Sequence, residues 1–209
     1  MVPPVASAPL MLTWLGSASS TANTAAYNFG SFVAPTAGLM LVLSTIRGDT
    51  SGTHLSVSIG GTAGTLHFNA PALLNKKAIA SRVVAAGSNN VTVTLSAANG
   101  VNTGAAVGVW LLTGYTSITP SSPADESATS NTWTRTMTIP ARRVATYAHQ
   151  HGFSVTGAVT WSDALERTDF LATCRYSHAD LRGVTGSHTE TVSRAGGSDF
   201  GYILGAAWG

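Results

Sequence analysis

Alternation with a period of two constrains this chain more than any other feature. Thr132, Thr134, Thr136 and Thr138 alternate with Trp133, Arg135, Met137 and Ile139. Leu55, Val57 and Ile59 alternate with Ser56 and Ser58, and Val91, Val93 and Leu95 with Thr92 and Thr94. Successive side chains on a strand point to opposite faces, so each run presents one row to a core and the other to water or a polar neighbour. Residues 39–46 are nearly continuous apolar sequence, the mark of a strand covered on both faces. No segment shows sustained helical spacing with caps; only residues 71–80 offer a short helical turn. Gly60-Gly61, Asn99-Gly100 and Gly196-Gly197 punctuate the runs as turns. The expectation is an all-β, jelly-roll-like β-sandwich of about a dozen short strands.

Charge is scarce. Asp, Glu, Lys and Arg make up 10% of the 209 residues, against roughly 25% in an ordinary soluble domain. The first charged side chain is Arg47, and the formal net charge is only +2. Soluble monomers usually carry net charge well away from zero, so a surface of Ser, Thr, Ala and Gly points to packing against copies or partners. The basic residues form no dense stripe beyond the pairs Lys76-Lys77 and Arg142-Arg143, which argues against nucleic acid as a partner. No apolar run approaches the ~18 residues of a membrane span, and membrane insertion is not expected. Pro3, Pro4 and Pro9 interrupt an N-terminus without a basic segment, so no secretory leader is expected either.

Residues 119–130 are the linker-like stretch, with charge concentrated after them. They read as a crossover within one sandwich spanning 11–209, with a boundary between two domains as the alternative, and residues 1–10 as an apolar arm suited to docking on a neighbouring subunit. The single cysteine, Cys174, excludes an internal disulfide framework and reads as a small buried hydrophobe.

Few motifs carry chemistry. Nucleophile elbow, phosphate loop, dinucleotide fingerprint and zinc-protease signatures do not occur. His149 and His151, two apart on a strand, share a face and could share a metal. No acid follows at short spacing, and third ligands would have to come from His178, His188 or Glu190 on other strands. Neither a metal nor any cofactor is expected. Arg143, Tyr147, His149 and His151 have one parity, which makes their face the candidate recognition patch, with Trp161 beside the Ser162-Asp163 turn at its edge. The alternative places Tyr147 in the core and leaves the histidines to solvent.

Tyr27-Asn-Phe29, Leu39-Met-Leu-Val-Leu43, Leu55-Ser-Val-Ser-Ile-Gly-Gly61, Arg82 to Thr94 and Ala106 to Tyr115 carry a resemblance. The first half of the chain resembles β-sandwich proteins of tailed-phage and prophage virions. The resemblance implies a virion component at the tail tip or fibre, or decorating the capsid, with no catalytic residues. The expected partners are copies of itself, as in a trimer, other virion proteins, and a host-surface glycan. A carbohydrate-binding module or adhesin is the competing binding class, and only the His149/His151 pair argues for an enzyme.

Overall fold

The computed structural model describes residues 8–50, 52–70, 75–100, 103–152 and 157–209. The described residues contain no helix and seventeen strands. The first nine are β1 (Met11–Ser20), β2 (Ala26–Ala34), β3 (Gly38–Arg47), β4 (His54–Ile59), β5 (Thr62–Ala63), β6 (Thr65–Ala70), β7 (Asn75–Val84), β8 (Gly87–Leu95) and β9 (Gly104–Thr113). The remaining eight are β10 (Ser121–Ser130), β11 (Thr132–Ile139), β12 (Val144–His151), β13 (Val159–Trp161), β14 (Leu165–Leu171), β15 (Arg175–Leu181), β16 (Gly186–Arg194) and β17 (Asp199–Trp208).

These strands form four antiparallel sheets, and the two halves of the chain use them in the same order. The first half builds an inner sheet, β1-β9-β3-β7-β6, and an outer sheet, β2-β8-β4-β5. The second builds β10-β17-β12-β15-β14 and β11-β16-β13. Matching β1 to β10, β2 to β11, β3 to β12, β4 to β13, β6 to β14, β7 to β15, β8 to β16 and β9 to β17 converts one pattern into the other. Only the two-residue β5 lacks a counterpart. Each half is therefore a two-sheet unit built on eight matched strands with jelly-roll connectivity.

The units stack inner sheet on inner sheet. β3 lies across β12, β1 across β14, β6 across β10 and β7 across β17. Exchanging the halves turns the β1–β14 contact into the β10–β6 contact and returns β3–β12 to itself. The arrangement is that of a two-fold dimer written into one chain, with a self-complementary interface.

Three apolar layers result. One fills the first unit around Tyr27, Val42, Val91 and Val109. Another fills the second around Trp133, Met137, Tyr147 and Ile203. Between the units Leu39, Leu41, Leu43 and Trp110 meet Ala148, Tyr202, Leu204 and Trp208. The seam is also keyed by polar pairs between the halves: Gln150 Nε2 donates to Asn75 Oδ1 at 2.9 Å, and Lys77 pairs with Asp125. Because inner sheets are covered on both sides, every residue of β3 and of β12 is buried, as continuous apolar sequence over 39–46 predicts.

Two expectations about local structure are corrected. Asn75–Val84 is a strand rather than part of a helical turn; residues 71–74 lie outside the described residues. β7 pairs along all of β3, and the buried backbone groups of β3 need that partner, which outweighs local helix preference. Residues 121–130 are a strand rather than a crossover. β10 is an edge strand paired with β17, its register shifting between Ser121 and Ala124 around Pro123. Edge strands tolerate proline and polar side chains, so their composition mimics a linker. The expected arm falls mostly outside the described residues; of its described part, Leu10 packs on the seam.

Candidate functional site

β12 is the middle strand of its sheet, between β17 and β15. Its even positions, Val144 and Ala148, face the seam. Its odd positions face the second unit's interior, where the outer sheet β11-β16-β13 covers them. Tyr147, His149 and His151 are fully buried, and Trp161 nearly so. The shared parity holds, but the face it defines is a core and not a solvent-facing recognition patch. The histidines do not meet solvent either.

The histidines form a defined chain of hydrogen bonds. His149 Nδ1 lies 2.7 Å from the Tyr202 carbonyl, so this nitrogen carries the proton and donates it. His149 Nε2 then accepts from His151 Nδ1 at 2.8 Å. His151 Nε2 is left as a buried lone pair without a described partner. Trp133 stacks on His151, with ring centres 5.3 Å apart, and touches His149 at 4.6 Å. A Cβ on Gly201 would sit 2.6 Å from the Trp133 ring, so glycine there seats the indole. Trp161 stands edge-on to His149 and donates to Ser177 Oγ at 2.8 Å. Burial drives the His149 pKa well below its ordinary value, with His151 and Arg194 adding to it. Burial, then Arg194, pushes His151 down to about 4. Both rings are neutral, and both nitrogens of His149 are engaged, which leaves the pair no shared open face for a metal.

His188 and Glu190, considered above as distant ligands, instead meet Asp163. One ligand atom from each falls within 4.8 Å of the others. The Glu190 carboxylate is already committed: it accepts from Ser162 Oγ, the Asp163 and Ala164 backbone N–H groups, and His188 Nε2, at 3.0–3.2 Å. Four donors use the acceptor capacity of a carboxylate. Its visible work is to tie the turn after β13 onto β16. Cys174 is buried, as expected of a small hydrophobe, but in the turn between β14 and β15, and burial pushes its thiol up to about 11.

Arg143 parts company with the other patch residues. It stands in the turn before β12, where its N–H donates to the Pro140 carbonyl at 3.2 Å. That turn opens on a groove of about 820 Å³ at the end of the seam, lined by Pro9, Leu12, Arg142, Arg143, Val144 and Arg182 among others. Arg142 sits at the third position of the turn with φ of 60°, where glycine or asparagine is ordinarily found. Gly209 backs Arg143 closely, since a Cβ there would lie 2.6 Å from Arg143 Cγ. Arg182 donates to Asp180 Oδ1 at 3.0 Å, while Asp180 also takes two bonds from Arg167 and one from the Trp110 indole. Sequence reasoning missed Arg182 and noted Arg142 only as half of a basic pair. The available signal was the Pro-Ala-Arg-Arg turn, with no small residue where the backbone turns left-handed.

No family model matches the chain, and no curated protein matches it.

Proposed function

We propose that this chain is a structural, non-enzymatic component of a tailed-phage-like virion, at the tail tip or fibre, that works by packing against copies and partner proteins. The observation that carries the reading is the chemistry of the two outermost sheet faces. On the second unit Thr132, Thr134, Thr136 and Thr138 point outward opposite Ser193, Thr191, Thr189 and Ser187, with Thr160 beside Ser193. On the first unit Asn28, Thr92 and Ser58 form one cross-strand row, and Ala26, Thr94 and Ser56 the next. These rows hold no charge. Hydroxyl and amide groups cost far less than ions to take out of water, so such faces suit repeated contact with other protein.

Magnitude shapes the reading further. Two strands of eight or nine residues with a shorter third, about 4.8 Å apart, offer roughly 300–400 Å² per face. Pairing two such faces buries at most about 800 Å² in all, below the ~1,200 Å² of a stable isolated complex. One face binds weakly, but two per chain add through avidity once neighbours are in place. Mass spectrometry and immunogold microscopy of purified particles test the proposal. The protein is expected at the tail tip in fixed copy number; labelling over the capsid would move it to a decoration role. Its absence from particles would overturn the virion reading.

A further inference from the structure

The seam groove carries an inference that does not depend on the virion reading. The chain has eleven Lys and Arg side chains against nine Asp and Glu. Nine of the eleven donate a hydrogen bond to an oxygen of the described protein. Lys77, Arg167, Arg175 and Arg182 reach carboxylates. Arg47 and Lys76 reach side-chain amides, and Arg82, Arg135 and Arg194 reach carbonyls. The side chains of Arg142 and Arg143 donate to no described residue, and both residues line the same groove. The two cationic side chains without a hydrogen-bond acceptor among the described residues therefore stand at one place.

Arg182 adds to it. Its carboxylate partner Asp180 is buried and shared with Arg167, so one negative charge answers two guanidinium groups. The groove wall thus holds three arginines, of which Arg182 shares its one carboxylate with Arg167. One side of the lining is apolar, from Pro9, Leu10, Met11 and Val144, and Thr116 and Thr185 add hydroxyl groups. At about 820 Å³ and between two units, the groove has the size and position of ordinary small-molecule sites. Arg142 also holds a left-handed backbone conformation that glycine would adopt without cost. Arginine at that position, against the local backbone preference, contributes to the groove lining. Guanidinium groups pair with planar or tetrahedral oxyanions through two parallel N–H bonds, which an ammonium or hydroxyl cannot reproduce.

We infer that the seam groove is a binding site for an organic oxyanion, a carboxylate or phosphate carried on a saccharide-sized body. The oxyanion would lie between the Arg142 and Arg143 guanidinium groups, with Arg182 beside them, and the body against the apolar wall. The two possible sources, an acidic sugar and a sugar phosphate, share this chemistry.

Titration calorimetry on the full chain at low ionic strength tests it with glucuronate, glucose 6-phosphate, glucose and inorganic phosphate. At least one charged sugar should bind, and at least tenfold more tightly than both glucose and inorganic phosphate; which of the two binds better identifies the source. The double variant Arg142→Gln, Arg143→Gln should lose at least tenfold in affinity for it. Arg142→Gly alone should weaken binding while leaving the melting temperature at or above that of the parent, so it decides the matter if the double variant fails to fold. Equal binding of glucose, no binding of either charged sugar, or unchanged affinity in Arg142→Gly would overturn the proposal. Phosphate binding as tight as the charged sugars would mean an adventitious ion only, and would overturn it as well.

Discussion

Arg142 shows what a single backbone angle reveals. A non-glycine residue in the left-handed region costs roughly 1 kcal/mol, and that cost persists in the folded protein at φ of 60°. Arg142→Gly should therefore raise stability by about 0.5–1 kcal/mol, read as a higher denaturant midpoint with unchanged slope. Histidines act at the same scale in the opposite sense. Burial lowers His54 and His178 to about 3 and His151 to about 4. Each is neutral when folded and takes up a proton on unfolding below about pH 6.5. Their contribution is complete above that pH and is lost progressively as pH falls toward the folded values. At pH 5 each costs about 2 kcal/mol relative to neutral pH, so three approach the 5–15 kcal/mol that holds a domain together. Chemical denaturation from pH 7 to pH 4.5 should show this as a steep loss of stability with a pH slope above two protons. His178 has no hydrogen-bond partner on either nitrogen among the described residues. His178→Leu should reduce that slope by about one proton, and an unchanged slope would show that its ring does not titrate with unfolding.

At the scale of elements, sequence pattern located strands well and their surroundings poorly. Thr132 to Ile139 reads as a half-buried strand from alternation alone, and β11 has that burial pattern. The parity of Tyr147, His149 and His151 was equally legible. Which side of β12 a second sheet covers was not, because that depends on β11 and β16 arriving from far along the chain. Polar residues in a strand look like surface until their partners are known: His149 meets His151 and the Tyr202 carbonyl, and Gln150 meets Asn75 and Tyr202. β10 failed for the reverse reason, being an edge strand whose solvated side chains resemble a linker. The Glu190 clamp likewise joins elements that sequence separates by more than twenty residues. Glu190→Gln would set an amide N–H₂ against donors that now meet a carboxylate. It should cost about 2–3 kcal/mol and loosen the 162–164 turn, read as faster amide exchange at Asp163 and Ala164. Unchanged exchange there would mean the turn is held by its strands alone.

At the scale of the molecule, the duplication was written in the sequence in few letters. Pro35 directly after β2 matches Pro140 directly after β11, Gly87 and Gly186 both open the returning strand with positive φ, and in the same register Thr92-Val-Thr94 matches Thr191-Val-Ser193. Such short matches vanish within a composition already rich in Thr, Ser and Gly, whereas strand order makes the repeat plain. The seam then decides whether two units behave as one body. Interfaces between domains are commonly polar and permit relative motion, but this one buries thirteen apolar side chains, seven from the first unit and six from the second. At about 1.5–3 kcal/mol for each large side chain removed from water, neither unit retains its stability once its inner sheet is exposed. Heating should give one calorimetric transition whose van't Hoff and calorimetric enthalpies agree. Leu41→Asp would bury an unpaired carboxylate at the centre of the seam, at a cost exceeding that of an ordinary core truncation. It should destabilise the second unit together with the first, although Leu41 belongs only to the first. Monitoring Trp133 and Trp161 fluorescence reads the second unit directly, because both indoles lie in its interior. If those signals melted unchanged while the first unit unfolded, the seam would be an ordinary domain contact, and the two-fold pair would be two proteins joined by the loop of residues 114–120.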